Sequence, residues 1–168
     1  RIEDCLETHD KISAFNMRMI IDHSTEEKTS SCAWEENVKA KTKLLHRIPS
    51  LFYHHHHRQH PSSGLESTDT TTGKQGDQDD LMPLFVPIKI TSLFSPKLLE
   101  CLSTIITKTE DPHRHKSESY FIEQLTKKEK QTYEQGILNI ERVCEAAKKN
   151  GLSILLDAEQ SHRQPAID

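Results

Sequence analysis

The chain has 168 residues, enough for one domain with a core of its own. Hydrophobic residues make up 33% of it and aromatics 5%, below the usual globular share, so part of the chain is expected to stay outside the core. A formal net charge of −4 supplies no overall basic field and argues against nucleic acid as a partner.

The N-terminal "RIEDCLETHDK" is acidic and charged, unlike a signal or transit peptide. With no initiator Met, the chain reads as a piece of a longer protein. Ile2, Leu6 and residues 9–12 predict a short amphipathic helix. "MRMIID" (residues 17–22) has the length and content of a buried strand and ends in an acid. Residues 25–43 are charged with a few apolar points, Trp34 and Val38 among them, and predict a helix or a loosely packed arm. Trp34 reads as a packing anchor.

From residue 44 to 80 the chain is expected to form a low-complexity insertion, most pronounced in "HHHHRQHPSSGLESTDTTTGKQGDQDD". Such composition buries too little surface to offset chain entropy, so disorder is expected. The histidine run has no spaced acid or cysteine partners, and no metal site is assigned to it. The cysteines, Cys5, Cys32, Cys101 and Cys144, form no C-x-x-C pair and predict neither a zinc site nor a disulfide framework. No apolar run approaches the roughly 20 residues that span a bilayer.

Residues 84–90 predict a β-branched strand interrupted by Pro87, with Lys89 among apolar neighbours. Ser95 is an N-cap and Pro96 suits the first helical position. Leu98, Leu99, Leu102, Ile105 and Ile106 then form a helical stripe. "DPHRHKSES" follows as a solvated loop. Thr126 with Glu129 makes a capping box. Tyr133, Ile137, Ile140, Cys144 and Ala147 share one helix face, whose charged opposite side ("LTKKEKQTYEQ") serves solubility. Asn150-Gly151 stops that helix, and "LSILLD" is the third strand. Three strands separated by helical patterns indicate βαβ units and a parallel sheet.

All three strands end in polar groups: Asp22, Lys89 with Thr91, and Asp157 with Glu159. In parallel α/β folds, chemistry sits beyond the carboxyl ends of strands. A lysine among apolar residues is costly unless paired or facing a ligand. Pairing of Lys89 with Asp157 is therefore expected, either as part of a site or as a structural ion pair that closes the sheet end.

"LLDAEQSHRQPAID" resembles the strand-end signature of the proline dehydrogenase family, in which Asp-Ala-Glu-Gln is followed by Gln-Pro-Ala-Ile. "PIKITSLFSPKLL" is similar to that family's earlier lysine-containing strand, and "MRMIIDHSTEE" to its first strand. The resemblance implies α/β architecture: a partial (β/α)8 TIM-like barrel with about three strands present and a long insertion. Residues 1–43 would carry the first strand–helix part, 44–80 the insertion, and 81–168 two further units. It implies FAD at the strand ends, oxidation of L-proline to 1-pyrroline-5-carboxylate, electron transfer to quinone, and a mitochondrial location on the matrix side of the inner membrane. Lys89 matches the lysine near both flavin and substrate carboxylate, and Asp157 the acid beside the substrate. Glu159 and Gln160 belong to the same block and are expected to bind the cofactor, whereas this fragment alone is expected to be inactive. A hydroxyproline-using relative and a non-catalytic interaction protein are the alternatives. The chain departs from the family pattern at Ser92 and Phe94, where alanine and glycine are usual. It departs again at His162 and Arg163, where an aromatic pair is usual.

Overall fold

A computed structural model of the chain describes residues 4–13, 15, 17, 19–22, 29–59, 85–109 and 117–168. Its elements, in chain order, are α1 (Asp4–Ser13), α2 (Ser31–Gln59), β1 (Phe85–Ile88), a 3-10 turn (Ile90–Ser92), α3 (Pro96–Thr109), α4 (Glu118–Glu123), α5 (Lys127–Lys149), β2 (Ser153–Leu156) and a second 3-10 turn (Gln164–Ala166). β1 and β2 pair in parallel, from Phe85 opposite Ser153 to Ile88 opposite Leu156. The architecture is mixed α/β and mostly helical around a two-stranded parallel sheet.

Among the described residues, the strand expected over residues 17–22 is reduced to one parallel bridge, Ile20 to Phe85, with the Ile21 N–H donating to the Phe85 carbonyl at 2.9 Å. Pro87 accounts for the shortness. Along a strand, alternate residues direct both backbone groups to the same neighbour, so Pro87 faces the side that Phe85 faces. It has no N–H to give there. Its carbonyl instead accepts from Lys41 Nζ at 3.2 Å.

Helix α2 extends well past Lys43, and Leu45, Ile48 and Phe52 are buried. The first residues assigned to the low-complexity insertion therefore belong to the core, because their apolar positions continue the stripe begun by Trp34 and Val38. Trp34 is buried, as a packing anchor should be. Residues 60–80 of the expected insertion lie outside the described residues, as do Ile2, residues 111–116 and the side chains of the histidine run.

Among the described residues, two clusters make the core. The first sets Val86 and Ile88 of β1 and Ile21 against Val38, Leu45 and Ile48 of α2 and Val143, Ala146 and Ala147 of α5. The second joins Ile90 and Phe94 to Leu98, Leu99 and Leu102 of α3 and to Leu125. Local signals behave as their chemistry demands. Ser95 Oγ accepts from the Leu98 N–H at 3.3 Å, starting α3. Thr126 and Glu129 form the reciprocal capping box. Gly151 takes φ 64°, while Leu152 and Gly151 N–H groups close back on the Ala147 and Lys148 carbonyls, a Schellman ending.

The buried face of α5 differs from the expected apolar stripe. Gly136, Asn139, Val143, Ala146 and Ala147 are buried, whereas Cys144 is exposed and Tyr133, Ile137 and Ile140 are half-buried. Small and amide side chains take the seam because the chain after β1 presses onto the helix there. Phe94 lies against Gly136, and Asn139 Nδ2 donates to the Leu93 carbonyl at 2.9 Å. From the other helix, Asn37 Nδ2 donates to the Ser92 carbonyl at 2.8 Å. Two buried amides thus hold one turn. Asn139→Ala would leave the Leu93 carbonyl unsatisfied in a dry place, so a loss of about 1–3 kcal/mol is expected in urea unfolding. An unchanged midpoint would show that solvent reaches this turn.

Candidate functional site

The site lies where β1 and β2 end. Their register, carried one residue past the last strand pair, sets Lys89 beside Asp157. The Asp157 N–H donates to the Ile88 carbonyl at 3.0 Å, extending the ladder to this point. Lys89 is exposed and Asp157 half-buried. The two are neighbours in register, yet they form no ion pair among the described residues. The expected direct pairing fails because Lys89 stands in solvent rather than among apolar neighbours, so burial does not drive it to a partner.

The buried lysine is another one. Lys41 of α2 is only 2% exposed and holds the Pro87 carbonyl. Burial pulls its pKa below the usual lysine range, against the attraction of Asp22 and Asp157 and with the repulsion of Lys89. Three residues chosen from the strand ends therefore share their field with a fourth from a helix. A sequence signal for it exists. Trp34, Val38, Lys41, Leu45, Ile48 and Phe52 step by four, three, four, three and four, so Lys41 occupies one position of an otherwise apolar seam.

Beyond the strand ends, the two loops are clasped together. Glu159 Oε1 accepts from the Thr91 N–H at 3.1 Å and from Thr91 Oγ1 at 2.9 Å. The Glu159 N–H donates to Gln164 Oε1 at 2.8 Å, and the Gln160 carbonyl accepts from the Arg163 and Gln164 N–H groups at 2.8 and 3.1 Å. The segment after β2 thereby folds into a hook. Helix α3 holds that hook: Ser103 Oγ donates to the Arg163 carbonyl at 2.9 Å and accepts from the Ala166 N–H at 3.1 Å. Arg163 Nε and Nη2 both reach Glu100 Oε1, at 2.9 and 2.7 Å. This contact, with His162 3.4 Å from the same oxygen, holds the Glu100 carboxyl below its usual pKa.

A cleft of about 440 Å³ opens at this place, lined by Lys89, Thr91, Ala158, Glu159, Gln160 and Arg163. Lys89, Glu159 and Gln160 thus share one cavity, whereas Asp157 stands at the strand end without lining it. Arg163, not among the residues expected at the site, also lines the cleft. Glu159 also has a second duty, since its carboxylate ties the β2 loop to the β1 turn. Among the described residues no group of three or more His, Cys, Asp or Glu side chains is set to hold a metal ion. No protein-family model, curated protein or solved structure matches the chain.

Ser92 Oγ donates to the Lys89 carbonyl at 2.7 Å, Phe94 packs on Gly136, and His162 and Arg163 both lie on Glu100.

Proposed function

We propose that the chain is the part of an FAD-dependent proline dehydrogenase that carries the lysine strand and the Asp-Ala-Glu-Gln strand of a (β/α)8 barrel. The observation that carries the reading is the parallel register of β1 and β2, which makes Lys89 and Asp157 neighbours at the carboxyl end of adjacent strands. Those are the two positions that match the family's substrate-side lysine and acid.

The residues present suit one polar edge of a flavin ring. The cleft offers an exposed ammonium from Lys89, the Gln160 carboxamide and the polar Thr91 turn. Its volume of about 440 Å³ serves a ring edge rather than a whole dinucleotide, so the remainder of FAD would be held by other parts of the barrel. When bound, the flavin would supply the hydride acceptor for oxidation of L-proline, with quinone as the final acceptor at the mitochondrial inner membrane.

The chain's own side chains would bind and orient. Lys89 places a positive charge where a substrate carboxylate and developing negative charge both favour it. Asp157 supplies a carboxylate for a cationic group of the pocket. The Thr91–Glu159 clasp and the Glu100–Arg163 pair fix the loops that carry these charges. In the full-length protein, Lys89→Ala or Asp157→Ala should lower the rate of proline-dependent flavin reduction by about 10²–10³-fold, the usual loss of a preorganised electrostatic group. Anaerobic stopped-flow absorbance reads that rate directly. Undiminished reduction in both variants would end the proposal.

A further inference from the structure

The buried ammonium of Lys41 belongs to α2 yet reaches the level where the strands end. Lys41 is 2% exposed and donates to the Pro87 carbonyl at 3.2 Å. Pro87 lies two residues before Lys89, and its carbonyl is on the edge of β1 away from β2. The bridge of Ile20 to Phe85, carried two residues on, sets Asp22 beside Pro87. On the other edge of β1 the Asp157 N–H closes on the Ile88 carbonyl. The Lys41 charge is thus placed among Asp22, Lys89 and Asp157, attracted by both acids and repelled by the lysine.

Acids outnumber cations at this end of the sheet. Arg163 and Glu100 balance each other. Lys41 and Lys89 then stand against Asp22, Asp157 and Glu159. The Thr91 N–H and hydroxyl that hold Glu159 are neutral and leave its charge in place. Without Lys41, a single cation would face three carboxylates, and an anion approaching Lys89 would be repelled. Lys41 offsets the acids from the protein side and takes no room in the cleft, which it does not line. Its burial also keeps its charge from being screened as an exposed lysine would be.

We propose that Lys41 is a positioning residue of the strand-end site, the counter-cation that keeps the field at Lys89 fit for a carboxylate ligand. This role rests on the dehydrogenase reading for the identity of that ligand, the substrate carboxylate. Lys89 meets the ligand, and Lys41 acts through the acids beside it, touching neither substrate nor flavin.

The probe is cyclopentanecarboxylate, which keeps the ring and carboxylate of proline without its amine, titrated calorimetrically into the full-length protein. Lys41→Met removes the charge and keeps most of the volume. Adding Asp22→Asn removes one exposed acid and restores the original net charge of the site. Lys43→Met makes the same charge change on an exposed position of α2 and serves as the control. The expected result is affinity that falls at least about tenfold in Lys41→Met and returns to within about threefold of wild type in the double variant, with no change in Lys43→Met. A packing role would give a loss that Asp22→Asn does not restore, and that outcome would overturn the assignment. Equal affinity in all of these proteins, or no binding by wild type, would overturn it too. Circular dichroism checks the fold of Lys41→Met. If that variant unfolds, Asp22→Asn alone decides: affinity should rise by about two- to threefold, and unchanged affinity would overturn the role. Proline-dependent flavin reduction is measured beside the titration. A wild type that gives the expected binding pattern but no reduction would end the dehydrogenase reading and leave the role of Lys41 standing.

Discussion

Gly136→Ala should destabilise the protein by about 1–2 kcal/mol, although alanine is the better helix former. Helix propensity alone favours the change by about 1 kcal/mol in the middle of α5. The opposing effect is larger. A methyl carbon on Gly136 would lie 2.1 Å from Phe94 Cδ2, 2.3 Å from Cε2 and 2.8 Å from Cγ. Phe94 is 2% exposed and meets the Tyr133 ring edge-on at 5.7 Å, so its ring has little room to withdraw. Forcing extra carbon into such a place typically costs 1–3 kcal/mol and sometimes more. The decisive comparison is a double-mutant cycle. In a Phe94→Ala background the clash disappears, and Gly136→Ala should then stabilise by up to about 1 kcal/mol. Urea unfolding of the four proteins measures the coupling. The same destabilisation in both backgrounds would mean that Phe94 is not what confines position 136.

At Lys41, size and charge should separate. Lys41→Ala removes most of a side chain that is 2% exposed, and the cavity should cost about 2–4 kcal/mol. Lys41→Met keeps most of the volume and removes a cation that burial disfavours. It also loses the hydrogen bond to the Pro87 carbonyl. These effects oppose each other, so Lys41→Met should unfold within about 1 kcal/mol of wild type.

The pH dependence carries the sign. Burial lowers the folded-state pKa of Lys41 below the ordinary 10.5, more than Asp22 and Asp157 raise it. Between the lowered value and 10.5 the unfolded chain therefore binds more protons, and stability contributed through this group rises with pH. Subtracting the unfolding free energy of Lys41→Met from that of wild type at each pH isolates this rise, because the other titrations largely cancel. A difference that falls toward alkaline pH would mean that the acids, rather than burial, dominate the Lys41 environment.

Much of the local structure was legible in the residues. Ser95 and Pro96 start α3, Thr126 and Glu129 start α5, and Gly151 ends it, because caps are made from groups a few residues apart. The strands around Val86 and Ile154 followed from short apolar runs, and their parallel pairing from the helix between them. The strand expected over residues 17–22 was less legible. Its own composition is adequate, but its neighbour presents Pro87, and pairing depends on both partners. The extent of α2 was missed because the histidine run and the polar stretch after it outweighed the periodic positions Leu45, Ile48 and Phe52.

The site divides in the same way. Lys89, Asp157, Glu159 and Gln160 could be picked out from their positions at strand ends and from the resemblance of their segments to one family. The residues that hold them could not. Arg163 with Glu100, Thr91 with Glu159, and Asn37 and Asn139 with the turn after β1 join positions from 46 to 68 residues apart. By itself the sequence determined the start of α3, both ends of α5 and the segments that form β1 and β2, since those choices rest on dihedral preferences and bonds between near neighbours. Only the tertiary structure decided that the buried lysine is Lys41 rather than Lys89 and that Phe94 needs a glycine on α5. Each of those facts depends on which surfaces meet, and that is set by packing across distant parts of the chain.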